Sequence, residues 1–315
     1  MENRVENVPI GYFYPPVLAQ LFLPLRGIPP FALAVGWSTA QALCLVILLP
    51  LAYAGRAALT LDRALLAIGF GLAFYPLQFA IFSGNVSGWL TIGVALSLAN
   101  GPRIGGSVAA VATSVKLTPL PMFLAALTDR RSRPAAVIPL AIIVMVSVLL
   151  APRAWSDFVT VLPNVLRNGM ADSATNLSPA NALVGFDLLG LGLLVGWALA
   201  LGFGIAAVVT GMREGYSHRV LAMAALSVTF ASSTLWDHYL GVFVPLILWA
   251  WPVAGPRRRL AIAVFVLLAT GLWLRLNELP GYRLALVAAL VACSLAIGTM
   301  PGSVASKRVV WAHGT

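Results

Sequence analysis

Long apolar blocks, each closed by a proline, glycine or arginine interruption, repeat along this chain from one end to the other. A helix needs roughly 20 mostly apolar residues to cross about 30 Å of hydrocarbon. Blocks approaching or exceeding that length fall at residues 30–54, 62–82, 86–100, 135–151, 187–211, 219–235, 239–253, 260–276 and 282–299. A further apolar stretch, 104–127, is interrupted by Lys116, Pro119 and Pro121. Proline removes a backbone donor and breaks the helix, so the pattern predicts a broken or re-entrant helix pair there. Residues 17–25 are too short to span, and they predict a helix that lies flat or dips in. The expected fold is therefore all-α. It is a polytopic transmembrane helical bundle of about nine spans plus the broken pair, forming a single membrane domain over 1–315.

Composition supports the bilayer as solvent. Of the 315 residues 60% are apolar and 10% charged, against roughly 25% charged in soluble domains, and the mean hydropathy is +0.92. The net charge of +10 comes from short basic clusters between apolar blocks. That distribution fits the positive-inside rule and excludes a continuous nucleic-acid-binding face. Arg56 and Arg63, Arg103, the run Arg130, Arg131 and Arg133, Arg213 and Arg219, Arg257 to Arg259, and Lys307 with Arg308 then all face the cytoplasm, provided that 104–127 starts and ends there. The same parity puts the N-terminus, the Ser83 to Asn85 loop, the long segment 152–186 and the Trp236 to His238 turn on the outer side of a cell inner (plasma) membrane. Trp155, Phe158, Leu162, Val165 and Leu166 recur at near-helical spacing in the long segment, which predicts an amphipathic surface helix. Cys44 and Cys293 sit far apart in apolar runs and read as small core residues. There is no secretory signal pattern at the start.

Several polar groups stand out against this background. Lys116 is one of only two lysines and lies inside an apolar region, where a charge must pair, snorkel or face water. Beside Thr113, Ser114 and Thr118 at a helix break, its ammonium suits a phosphate; the plain alternative is snorkelling to a headgroup. Trp236, Asp237, His238 and Tyr239 pack an acid, an imidazole and two aromatics into four positions between apolar blocks, where aromatics alone would be an interfacial belt. Gly84, Asn85, Val86 and Ser87 make a tight polar turn, for which good turn chemistry is a sufficient cause. The Asn85-Val86-Ser87 triplet is too near the membrane to be a useful glycosylation acceptor. Arg167, Asn168, Asp172, Asn176, Ser178 and Asn181 form a donor-rich cluster in the long outer segment, as solvated loops often do. Tyr12 to Pro16 reads as an aromatic anchor with proline opening a helix.

In this order and spacing over residues 12–250, the pieces resemble glycosyltransferase family 87, membrane enzymes of the GT-C fold that use polyprenyl-phosphate sugars. Tyr14-Pro15-Pro16 is similar to the family's Tyr-Pro-Pro stretch. Gly84-Asn85-Val86-Ser87 is similar to its Gly-Gln-Val-Asn motif, with shorter residues at the second and fourth positions. Lys116-Leu117-Thr118-Pro119 resembles its Lys-Leu-x-Pro, followed by Asn176-Leu177-Ser178-Pro179 and by Trp236 to His238. The resemblance implies transfer of a hexose, often mannose, from a polyprenyl-phosphate donor to a glycolipid or glycan acceptor on the outer face. It also implies a first helix followed by a catalytic aspartate. Met1 already lies where that loop should be, so an N-terminally truncated chain is expected. Glu2 and Glu6, the only nearby acids, are weak candidates for the base.

Transfer needs a base for the acceptor hydroxyl and cations for the departing phosphate. The candidate phosphate contacts are Lys116, His238 and Arg167. The candidate sugar or acceptor contacts are Asn85, Asn176 and Asn181, with Tyr14 and Asp237 as further binding residues. No cofactor is expected; side chains can neutralise a monophosphate leaving group, which leaves a metal ion open and not required. Two other classes stay open. A transporter or flippase would show matched broken segments in two halves, and a non-catalytic subunit of an envelope-glycan complex would suit the absent base.

Overall fold

The structure, a computed structural model, describes residues 14–54, 58–167, 176–184, 186–231, 235 and 237–300. Glu2, Glu6, Tyr12, Phe13, Arg56, Asn168, Asp172, Trp236, Lys307 and Arg308 lie outside the described residues, so the readings placed on them stay at the level of sequence.

Among the described residues every regular element is helical. In chain order these are α1 (Pro16–Phe22), α2 (Pro30–Ala54), α3 (Leu61–Ala73), α4 (Tyr75–Phe82), α5 (Val86–Asn100), α6 (Pro102–Val115), α7 (Leu120–Ala126), α8 (Arg133–Leu150), α9 (Pro152–Arg167), α10 (Pro179–Val184), α11 (Leu189–Glu214), α12 (His218–Ala231), α13 (Phe243–Ala250), α14 (Pro256–Gly271) and α15 (Pro280–Gly298). The all-α expectation holds. The count of about nine spans is not confirmed. Four helices, α2, α8, α11 and the last one, are long and apolar enough to cross a membrane, and α3 with α4 makes a fifth if that bent pair is one span. The other predicted blocks became shorter helices, 15 residues in α5, 14 in α12, 8 in α13 and 16 in α14. At 1.5 Å per residue, α5 rises only about 22 Å. Apolar composition continues past the point where a helix stops. The 239–253 block, for example, is divided into a 3-10 turn at Asp237–Val242, α13, and a second 3-10 turn at Trp251–Val253.

Prolines explain the two breaks. The 62–82 block bends by 69° between α3 and α4, at Phe74, whose backbone is extended. Pro76 has no N–H to give to the Leu72 carbonyl one turn earlier, and the Gln78 side chain donates to that carbonyl instead. The 104–127 stretch is the broken pair that the sequence predicts. α6 ends at Val115, Lys116 is extended (φ −148, ψ 134), and helix resumes at Leu120 beyond Pro119. α7 packs back against α6 and against α12, so this irregular backbone is covered by protein.

The bundle is apolar outside as well as inside. Phe74, Phe243, Phe265, Leu45, Leu49 and Leu77 fill the core, while Ile47 on α2, Met145 on α8 and Leu201 on α11 stand exposed. In water those faces would have no solvent to suit them, and in a bilayer they have one. The protein is membrane-embedded. α9 is the predicted amphipathic helix, and α1 is fastened beside it: Gln20 Nε2 donates to the Ser147 carbonyl at 2.9 Å, and Trp155 Nε1 donates to Ser147 Oγ at 2.9 Å.

The loops that carry Arg130 to Arg133, Arg213 and Arg219, and Arg257 to Arg259 converge at one end. Tyr216 N donates to Asp129 Oδ2 at 3.0 Å, Arg219 Nε to the Gly298 carbonyl at 2.6 Å, and Arg258 to the Thr299 carbonyl at 3.0 Å. α6 starts at this end, with Gly105 against the Tyr216 ring and Gly106 against the Ser132 carbonyl. Fourteen helical residues carry the chain about 20 Å away from it before Lys116 appears.

Candidate functional site

Four segments far apart in sequence meet around Lys116. The first is Tyr14, just ahead of α1; Pro15 and Pro16 stiffen this approach, and Val17 and Leu18 are buried against Val86 and Val115. The second is the turn between α4 and α5. Gly84 takes the left-handed conformation (φ +64), which glycine adopts without a Cβ penalty, and Asn85 then caps α5. Three α2 side chains grip that turn: Trp37 Nε1 donates to Gly84 O at 2.9 Å, Ser38 Oγ to Ile81 O at 2.8 Å and Gln41 Nε2 to Asn85 O at 3.0 Å. The third segment is the α6–α7 break carrying Lys116. The fourth is the 3-10 turn with Asp237, His238 and Tyr239.

The contacts are specific. Lys116 Nζ donates to the Tyr239 hydroxyl, lies 3.9 Å from the centre of the Tyr239 ring and 5.3 Å from that of Tyr14. The Tyr14 phenol is hydrogen-bonded to the Asn85 side chain. Burial pushes its pKa up and that hydrogen bond opposes the rise. Asn85 Oδ1 accepts from the Ser87 backbone N–H at 3.0 Å and from Ser87 Oγ at 2.8 Å, so the amide nitrogen is the group it can turn to Tyr14. The His238 ring lies 4.7 Å from that of Tyr239 and 6.0 Å from that of Phe79. Asp237 Oδ1 is 3.7 Å from His238 Nδ1, beyond hydrogen-bond length but within ion-pair range, and accepts from the His238 backbone N–H at 2.9 Å.

Lys116 is 8% exposed, and among the described residues no carboxylate pairs with it. A buried ammonium held only by phenols is under-compensated and favours an anion beside it. Both His238 ring nitrogens and the Thr113 and Thr118 hydroxyls are also buried without hydrogen-bond partners among the described residues. A narrow crevice with a cavity volume of about 30 Å³ runs from Tyr239 and Thr118 between Leu90, Val94, Ala112 and Met122. It is almost wholly apolar. An anion bound at Lys116 therefore has an apolar slot next to it.

Of the residues singled out from sequence, Lys116, Asn85, Tyr14, His238 and Asp237 come together. Asn176 and Asn181 stand in a second, buried cluster, with Asn176 bonded to the backbone of Leu235 and Ser178 and Asn181 to that of Asn176. Arg167 closes α9, and its side chain lies outside what the structure describes. Tyr239 was noted in the sequence only as an interfacial aromatic, yet it is the direct partner of Lys116. A tyrosine inside an apolar run needs a partner for its hydroxyl, which was the available signal.

Fold and site together define a helical membrane protein with a buried lysine beside a narrow apolar crevice. The chain belongs to glycosyltransferase family 87, whose sequence pattern matches residues 12–237. It is accordingly a membrane glycosyltransferase. Neither the curated proteins nor the solved structures contain a match to it.

Proposed function

We propose that this glycosyltransferase takes a hexose, mannose among the candidates, from a polyprenyl-phosphate donor and passes it to a glycolipid or glycan acceptor. The observation that carries the reading is Lys116, a buried ammonium without a described carboxylate partner, next to an apolar crevice. A phosphate on a hydrocarbon chain matches both halves of that arrangement. Lys116 contacts the phosphate, with His238 beside it and Arg167 as a further cation from the end of α9. Tyr14, Asn85 and Asp237 face the sugar and acceptor hydroxyls.

In this reaction the acceptor oxygen attacks the anomeric carbon, and the bond from that carbon to the phosphate oxygen breaks. The leaving phosphate keeps the electron pair, and Lys116 stabilises the charge that develops on it. A single displacement inverts the anomeric centre. The acceptor proton goes to a base that we leave unassigned. The chain threads the bilayer about nine times in a GT-C-like arrangement, with the short helices and their 3-10 extensions completing the crossings. Its arginine end lies in the cytoplasm and its site faces outward across the inner membrane, as the positive-inside rule directs.

The test is transfer from radiolabelled polyprenyl-phosphate hexoses by the purified protein in lipid, assayed with glycolipid acceptors. Label appearing in the acceptor supports the reading. No transfer from any common hexose donor removes it and leaves only the family-level activity.

A further inference from the structure

Asn176 is fully buried. Its Oδ1 accepts from two backbone donors, Leu235 N at 2.8 Å and Ser178 N at 3.0 Å. Leu177 N donates to Leu235 O at 2.7 Å, so Leu235 is held on both its backbone groups by the Asn176–Leu177 pair. Asn181 Nδ2 donates back to the Asn176 carbonyl, closing a small ring of bonds at the start of α10. Leu177 and Leu235 are each 1% exposed, so water cannot replace these bonds if they are lost.

Leu235 lies two residues before the 3-10 turn that carries Asp237, His238 and Tyr239, and it lines the same crevice as Tyr239. A 3-10 turn has weaker internal hydrogen bonding than an α-helix, so where its start is held decides where its side chains point. We propose that Asn176 is a positioning residue. Its side-chain oxygen fixes Leu235 and thereby sets where the following turn presents His238 and Tyr239 to Lys116. The role is structural support for the site from a segment 59 residues away. Its kinetic consequence rests on the sugar-transfer reading above, while its structural consequence does not.

Two arms test this. In the first, hydrogen exchange of the detergent-solubilised protein is followed by mass spectrometry. Asn176→Ala should speed exchange in peptides covering 235–242 by about tenfold, the loss expected for one buried hydrogen bond, with peptides from α2 and α8 unchanged. Asn176→Asp keeps acceptor oxygens for both N–H groups and should hold exchange of 235–242 near the parent rate even if the alanine variant folds poorly. Parent-like exchange in the alanine variant, or alanine-like exchange in the aspartate variant, overturns the proposal. In the second arm, sugar transfer by Asn176→Ala should fall about 10- to 100-fold, the scale of a misplaced reacting group. In a background that carries both His238→Ala and Tyr239→Ala the same change should cost no more than about threefold, because its effect passes through those two side chains. Fully multiplicative losses would show that Asn176 acts elsewhere. If the parent protein transfers no sugar, the donor reading fails and the exchange arm alone decides the role of Asn176.

Discussion

Lys116 and Tyr239, 123 positions apart in the chain, meet with the ammonium donating to the phenol oxygen and lying 3.9 Å from the ring centre. The pair joins the α6–α7 break to the turn before α13. It gives the charge a partial partner while leaving it able to attract a stronger one. A carboxylate in the same place would have satisfied the lysine and closed the site to phosphate. A phenol holds the ammonium without neutralising it.

Lys116→Ala removes the proposed phosphate contact and should lower kcat/KM for a polyprenyl-phosphate donor by about 100- to 1000-fold, the range for losing one preorganised stabilising group. Expression and membrane insertion should change little. Initial-rate kinetics beside quantitative blotting of the membrane fraction separate the two effects. Parent-rate turnover would show that Lys116 does no more than snorkel.

Tyr239→Phe keeps the ring face and deletes only the hydroxyl. Hydrogen bonds to charged groups contribute about 1.5–3 kcal/mol, so the released ammonium should reorient and transfer should fall about tenfold or more. A donor titration on the purified variant reads this directly. Unchanged kinetics would mean that the ring face alone holds the ammonium.

Asn85 has two tasks that two substitutions can separate. Asn85→Ala loses the α5 cap at a cost of about 1 kcal/mol together with the amide that meets Tyr14. Asn85→Asp keeps an acceptor for the Ser87 N–H but not the amide donor. Thermal unfolding should therefore drop for alanine and hold for aspartate, while donor KM should rise in both. If the aspartate variant matches the parent in KM, Asn85 is a cap and nothing more.

Gly106→Ala tests the close approach of α6 to the start of α8. A Cβ there would lie 2.4 Å from the Ser132 carbonyl oxygen, a backbone atom that cannot swing aside. The expected cost is about 1–3 kcal/mol, seen as a lower melting temperature in detergent. Gly36→Ala is the control, since its Cβ would meet nothing within 4 Å, and a mid-helix alanine should be neutral or mildly stabilising. Equal melting temperatures for the two variants would refute the tight α6–α8 contact.

How much of this was legible in advance follows from the range of each interaction. Helix class, membrane embedding and the break near Lys116 depend on the hydropathy and proline content of neighbouring residues, which the sequence displays directly. The amphipathic α9 and the polar turn at Asn85 were visible for the same reason. The number and length of crossings was not. A 3-10 turn at Asp237 or a 69° bend at Phe74 leaves apolar composition intact, and only the backbone path reveals it.

The site divides in the same way. Sequence by itself determined which groups are too polar for their surroundings, Lys116, Asp237 and His238 among them, because the cost of burying a charge is a property of the residue and its neighbours. Tertiary structure alone decided who meets whom. It set Tyr239 and Tyr14 against Lys116, and it joined the Asn176 side-chain oxygen to the Leu235 backbone. Pairings across 59 or 123 positions arise from how helices pack, and no local pattern of residues encodes them.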